Sequence, residues 1–477
     1  MTAPPAQLFV NGESCNTRSG ATIPQINPAT EETFVEVAAA GRPEVELAVA
    51  GAQHAFEQGW RDLPPGKRTE ILFHVSRLIR ENLETLAQLE SRNVGKPITD
   101  ARDEIALGAR VFEYYAGAVT KFFGQTIPVA RGGFDFTLRQ PMGVVAAIVP
   151  WNFPFPIACW KTAPALAAGN AVVLKPASAS PLTAILLGRL AVEAGLPPGV
   201  LQVLPGAGGE IGDALVTHPL VRKISFTGST EIGARIMTMA APQLKRVSLE
   251  LGGKSPNIVF ADADLEQAAA TAPMSVFANT GQDCCARSRV FVEQTVFDRF
   301  VELFLEATKK LRVADPARDS TQIGPLVSAR QRDISEEFIA EAKGRGRRLA
   351  YGGTRPIDKG YFLAPAVLLD VEPADRVWRE EVFGPVVCIR PFTDEDQMLR
   401  EVNESRYGLS ASLWTNDLKR AIRLARRIES GVLSINSHSS VHVEAPFGGF
   451  KQSGLGRDLG MAAMEGYTEL KNVYIAE

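Results

Sequence analysis

The sequence predicts an α/β protein built on two parallel sheets, each covered by helices, and three observations carry that prediction. From about Val144 onward, short apolar runs alternate with helical patterns, as strand–helix–strand crossovers require. A second set of such runs begins near Lys254. The length of 477 residues exceeds what one hydrophobic core supports, so two or three domains are expected.

Up to about Ala40, QLFVNGE and ETFVEVAAA read as short strands between Gly, Asn and Pro turns. Segments 45–59 and 66–95 carry apolar residues at helical spacing and are expected as helices. GVVAAIVP then predicts a strand, followed by a turn and a helix over 161–168. AVVLKP precedes a helix over 181–194, VLQVLPG precedes GGEIGDALV, and RKISFTG precedes STEIGARIMTMA. In the second set, SPNIVF, SRVFVE, AVLLDV and VVCIRPF read as strands, with helices over 296–310 and 328–344. No long polar linker separates the sets, so an extensive interface between domains is expected.

Composition removes several function classes. With 51 Lys+Arg against 54 Asp+Glu, the net charge is -3, and no basic excess exists for a nucleic-acid partner. The start, MTAPPAQLFVNGES, is not a secretion signal. The most membrane-like window, 141–160, is interrupted by Pro141, Pro150, Pro154 and Pro156. It is therefore read as buried strand and ordered turn, without a membrane partner. Cys15, Cys159, Cys284, Cys285 and Cys388 are odd in number and scattered, which fits a reduced, cytoplasmic protein. The histidines show no zinc-ligand spacing, so no metal is expected.

Several segments suggest chemistry. KISFTGSTEIGARI combines a strand, a turn framed by Gly228 and Gly233, and a helix start. Free N–H groups there suit a pyrophosphate, or the glycines serve tight packing alone. Lys175 follows an apolar strand in AVVLKPASAS, where ligands of open α/β sheets bind, and either reaches ribose hydroxyls or is a solvated strand-end lysine, the commoner case for a lone lysine. Ser178 neither repels nor strongly attracts a 2′-phosphate, which leaves NAD and NADP both open. ANTGQDCCARSR sets Cys284 and Cys285 among turn formers rather than in an apolar run, as a loop-borne nucleophile would be. Glu250 ends an apolar run in RVSLELGGKSPNIVF. Apolar surroundings raise a carboxyl pKa and suit a base for water, while a strand-end ion pair is the plainer alternative. Asn152, held in VPWNFPFP, is either an oxyanion donor or a turn residue bonding its own backbone.

PMGVVAAIVPWNFP, LKPAS, FTGSTEIG, LELGGKSPNIV, NTGQDCC, EEVFGPVV, YGLSASLWTND and PFGGFKQSGLGRDLG occur in this order. Together they make the chain resemble the aldehyde dehydrogenase superfamily over essentially its whole length. The resemblance implies oxidation of an aldehyde to a carboxylic acid through a cysteine thioester, with NAD as first choice of cofactor and NADP possible. It implies Cys284 as nucleophile, Glu250 as base for water and Asn152 as oxyanion donor, with Lys161 and Asp458 on a proton path. A retained Glu250 favours hydrolysis over transfer to coenzyme A. Lys175 and Glu381 would hold the riboses, Phe383 would pack near the nicotinamide, and Gly228, Ser229 and Gly233 would lie at the pyrophosphate. Trp151, Ser178, Phe226, Leu251 and Gly252 complete the implied cofactor contacts.

The same resemblance implies a cofactor domain over 1–121 and 141–252 and a catalytic domain over 253–450. Segments 122–140 and 451–477 would supply a small β oligomerisation element and the C-terminal tail, giving a homodimer or homotetramer. By position, Trp151, Phe153, Trp160, Phe277 and Phe447 would line a substrate tunnel, with Tyr114 and Tyr115 near its mouth. The expected substrate is a broad range of aliphatic or aromatic aldehydes. The alternative is an ω-aminoaldehyde or betaine aldehyde, with aromatic walls and Glu444 receiving the cation, against which Glu444 reads more simply as a solvated loop carboxylate. Phe447 stands where such enzymes often carry tryptophan. A non-catalytic protein of the same fold is the remote alternative, against which Cys284, Glu250 and Asn152 argue together.

Overall fold

The computed structural model describes residues 6–476. The first set of apolar runs forms the centre of an eight-stranded sheet. Its parallel core runs Leu201–Val203, Ala171–Lys175, Val144–Ile148, Val221–Thr227 and Arg246–Glu250 in spatial order. Val144–Ile148 and Ala171–Lys175 are buried throughout, because helices cover both faces and leave no side for polar residues. Strand order reverses between Val144–Ile148 and Val221–Thr227. A ligand crevice forms beyond the carboxyl ends of such strands, and that is where Trp151 and Gly228 lie.

The second set forms a seven-stranded sheet. Its order is Arg348–Tyr351, Ala366–Leu369, Val386–Phe392, Arg289–Glu293, Pro256–Val259, Ser410–Trp414, Val432–Ile435. Both sheets are mixed rather than purely parallel. Leu8–Val10 and Gly454–Leu455 close the two flanks of the first parallel core in antiparallel register, and Arg348–Tyr351 does so for the second. These short additions pair strand edges that would otherwise present free backbone groups. In a third sheet Thr468–Ile475 pairs antiparallel with Phe134–Pro141, from Thr468 opposite Pro141 to Ile475 opposite Phe134. The first sheet's core reaches into the second half of the chain, taking in Leu409, Val443, Phe447 and Leu459. No helix among the described residues is long and apolar enough to cross a membrane.

Two helices differ from expectation for local reasons. The helix expected over 161–168 spans Pro154–Ala167 and is buried along its length. Pro154 and Pro156 sit in its first turn, where a missing N–H costs nothing, so they start the helix instead of breaking it. The segment 66–95 divides into Pro65–Glu81 and Leu83–Val94. At the break the Asn82 side chain donates to the Leu78 carbonyl at 2.9 Å, competing with the helical ladder.

Candidate active site

The nucleophile loop follows the helix Leu265–Phe277. Asn279, Thr280 and Gly281 adopt φ of 50°, 57° and 72° in succession. A β-branched residue in the left-handed region is costly, and such strain persists only where surroundings over-determine it. Here they do. Thr280 Oγ1 donates to the Gly324 carbonyl at 2.9 Å, and Asn279 Nδ2 donates to the Asn152 carbonyl at 2.8 Å. The Gln282 amide donates to the Asn279 carbonyl at 3.0 Å and accepts from Val327 N–H at 2.9 Å. A Cβ at Gly281 would lie 2.2 Å from the Gly384 carbonyl oxygen, so only glycine lets the Phe383–Gly384 segment pass this closely.

The loop delivers Cys284, half-buried, beside buried Cys285. The two thiols and the Asp283 carboxylate have their reactive atoms within 4.8 Å of one another. The Cys284 thiol is held well above its ordinary range by its hydrogen bond with Cys285, by burial, and by the charges of Cys285, Asp283 and Glu381. Asn152 is pinned to this loop, its Nδ2 donating to the Gln282 carbonyl at 3.0 Å. Its own carbonyl accepts from Lys96 Nζ at 2.9 Å. One N–H of the Asn152 amide thus remains without a partner among the described residues.

Glu250 ends the strand Arg246–Glu250. Its carboxyl is held well above the usual range, first by burial and then by the Asp458 charge. Its Oε2 has no partner among the described residues, which excludes the strand-end ion pair. A Cβ at Gly448 would lie 2.6 Å from Glu250 Oε1, so the glycine makes room for the carboxylate. Deeper in, Lys161 Nζ donates to Asp458 Oδ2 at 2.9 Å and to Ser225 Oγ at 3.3 Å. Tyr467 OH joins Ser225 at 2.9 Å.

Cys284 and Glu250 line one cavity of about 630 Å3, walled by Phe153, Trp160, Trp414 and Phe447. Trp160 and Phe447 meet edge-on at 5.4 Å. A separate crevice of about 340 Å3 lies at the strand-order reversal and is lined by Trp151, Lys175, Ser178, Phe226 and Gly228. Burial lowers the Lys175 amine to about 8, and its Nζ donates only to the Pro176 carbonyl among the described residues. Ser178 Oγ donates to the Gly206 carbonyl at 2.9 Å. Beside the crevice, Ser229 caps the helix Thr230–Ala240 by accepting from Ile232 N–H at 3.4 Å. A Cβ at Gly233 would lie 2.6 Å from Leu251 Cδ2, so the helix packs close on Leu251. Glu381 Oε1 accepts from Gly253 N–H at 2.9 Å, and a Cβ at Gly252 would lie 2.2 Å from its other oxygen. Phe383 meets Trp151 edge-on at 5.4 Å. The residues present fit a dinucleotide: a capped helix N-terminus, two lining glycines with open space above them at 208 and 209, and a buried lysine without a counterion.

The profile of the aldehyde dehydrogenase family matches residues 15–473. The chain belongs to the aldehyde dehydrogenase family. Human retinaldehyde dehydrogenase 3 is 44% identical over 98% of this chain and 92% of its own length. Among solved structures, the indole-3-acetaldehyde dehydrogenase of P. syringae, in complex with NAD+ and IAA, superposes with a TM-score of 0.98 at 40% identity. That match covers 100% of this chain and 97% of the other. An NAD+ complex of the Bacillus cereus aldehyde dehydrogenase gives 0.97 at 40% identity, covering 98% and 96%.

Three side chains named for the aldehyde dehydrogenase tunnel lie elsewhere, and the first, Trp151, lines the separate crevice beyond the strand ends instead. Phe277 is fully buried and packs edge-on against Phe304 at 6.3 Å, inside the core of the second sheet. It faces inward because it ends a helix that buries that side. Glu444 is 62% exposed and pairs with Arg110 at 3.4 Å, and it does not line the cavity. Sequence reading missed Glu104, Asp283, Arg287 and His438, all of which line the cavity. Glu104 pairs with buried Lys96, and burial pushes its carboxyl up to about 8. Only Asp283 and Arg287 stand close enough to Cys284 in sequence to have been suspected.

Proposed function

We propose that this aldehyde dehydrogenase oxidises neutral aromatic and aliphatic aldehydes to carboxylic acids by hydrolysis of a Cys284 thioester, with NAD as cofactor. The observation that carries this reading is the cavity itself. A thiol and a carboxyl with an unpartnered oxygen share one largely apolar space. Cys284 attacks the aldehyde carbon, and the free Asn152 N–H with the Cys284 backbone N–H holds the oxyanion. NAD, when bound, supplies the hydride acceptor. Glu250 takes a proton from water, which then attacks the thioester carbonyl. Lys161, Asp458 and Ser225 offer hydrogen-bonded groups along which that proton leaves. The covalent bond keeps the carbonyl positioned throughout.

Lys175 and Glu381 hold riboses, Gly228 and Ser229 meet the pyrophosphate, and Phe383 with Trp151 bounds the nicotinamide, while Gly233, whose N–H is bonded to the Ser229 carbonyl at 3.0 Å, serves helix packing on Leu251 instead. Ser178 keeps its hydroxyl on the Gly206 carbonyl, and relatives of 40% identity were solved with NAD+, which supports NAD over NADP. The relatives' names, retinaldehyde and indole-3-acetaldehyde dehydrogenase, point to large apolar substrates, as do the aromatic walls. The Glu444–Arg110 pair argues against a cationic aldehyde. The cofactor domain (1–121, 141–252) and catalytic domain (253–450) belong to the same reading. So does association through 122–140 and the C-terminal strand, where Phe134, Leu138, Leu470, Tyr474 and Ile475 are exposed. The test is nicotinamide reduction across neutral aliphatic, aromatic and cationic aldehydes, with NAD and with NADP. The highest kcat/KM is expected for neutral aromatic aldehydes with NAD, and a preference for cationic ones would overturn the substrate class.

A further inference from the structure

We propose that Arg287 is a positioning residue for the nucleophile: its guanidinium ties the Cys284 loop to the cavity wall and supplies the positive charge against which the thiolate forms. The proposal rests on Cys284 being the nucleophile. Arg287 is 1% exposed and reaches three separate pieces of chain. Nη1 donates to the Cys285 carbonyl, Nε donates to Ser412 Oγ at 2.9 Å, and Nη2 donates to Ser440 Oγ at 2.5 Å. Cys285 belongs to the nucleophile loop and Ser412 to the strand Ser410–Trp414. Ser440 belongs to the loop that forms one cavity wall. A planar fork with five donors suits such a junction, whereas one lysine ammonium cannot span it.

Every one of these acceptors is neutral. No carboxylate lies within 4.0 Å of the guanidinium among the described residues. A buried charge without a counterion is costly, and neutral residues could join the same elements. Its charge therefore has another use, and the surroundings of Cys284 supply one. Asp283, Cys285 and Glu381 all oppose its ionisation. Lys96 faces Asp283 but is engaged with Glu104. His438 is neutral, since burial and then the Arg287 charge push it down to about 3. Arg287 lines the same cavity as Cys284 and is the buried cation that interacts with Asp283, Cys284 and Cys285 together. Low local dielectric makes such an interaction strong.

The test is the pH dependence of Cys284 alkylation by iodoacetamide, located by mass spectrometry, in wild type, Arg287→Met and Arg287→Lys. The Met variant should move the midpoint upward by roughly one unit, making alkylation near neutral pH about tenfold slower. The Lys variant should keep the wild-type midpoint yet raise KM for the aldehyde several-fold, because charge survives and the junction loosens. An unchanged profile in the Met variant, or a Lys variant matching it, overturns the charge role. Should the Met variant fail to fold, Asp283→Asn must lower the midpoint, and no shift there also overturns the proposal. Alkylation that bypasses Cys284 in wild type instead overturns the choice of nucleophile.

Discussion

Replacing Glu250 with Gln isolates the hydrolytic step. The amide keeps the shape of the carboxylate, so the close approach of Gly448, 2.6 Å from Oε1 for a hypothetical Cβ, is undisturbed. Because Oε2 has no partner among the described residues, the substitution breaks no hydrogen bond there. Burial, followed by the Asp458 charge, already disfavours the ionised carboxylate, so the variant should fold at least as stably as wild type. What disappears is the base. General-base catalysis contributes about 10²–10⁴-fold, equivalent to about 3–5 kcal/mol of barrier, and here it acts after thioester formation. Stopped-flow absorbance should therefore show a rapid burst of reduced cofactor close to one per active site, followed by a turnover slowed by that factor. In wild type, kcat should fall as pH drops through the raised Glu250 pKa, because the protonated acid cannot accept the proton of water. The variant should lack that limb. A kcat within about threefold of wild type, or a loss of burst and turnover in equal measure, would refute the reasoning.

Other residues give further predictions. Burial raises the Glu381 carboxyl from 4.5 to about 7, so its contribution to stability is full below about 4.5 and lost as pH rises through 7. Glu381→Gln should accordingly gain Tm relative to wild type between about pH 5 and pH 8 in the cofactor-free protein, while cofactor affinity falls in calorimetry. Gly281→Ala must place a Cβ 2.2 Å from the Gly384 carbonyl at φ 72°. It should cost at least about 2 kcal/mol in urea unfolding and abolish turnover. Glu444→Ala should change KM for cationic aldehydes by less than about twofold, since Glu444 lies outside the cavity and is paired with Arg110.

Much of the α/β architecture was legible because parallel strands buried on both faces read as unbroken apolar runs, as Val144–Ile148 and Ala171–Lys175 do. Cys284, Glu250 and Asn152 stood out because a thiol among turn formers, a carboxylate ending an apolar run and an amide between prolines are locally unusual. Other features depended on approach in space. Pro154 reads as a breaker until its place in a first helical turn is known. Phe277 and Glu444 could be ordered along the chain but not oriented, and one turned into the core while the other found Arg110. Lys96 and Glu104 pair eight residues apart, and Arg287 reaches Ser412 and Ser440 at 125 and 153 residues away, separations at which spacing carries no signal.

The central claim is a thioester on Cys284 that Glu250 clears. Its most direct measurement is mass spectrometry of Glu250→Gln, acid-quenched after mixing with NAD and an aromatic aldehyde. Acyl mass should appear on the peptide containing Cys284 and Cys285, survive Cys285→Ala and vanish with Cys284→Ala. An unmodified peptide from enzyme that has reduced its cofactor, or acyl mass that follows Cys285 instead, would contradict the account.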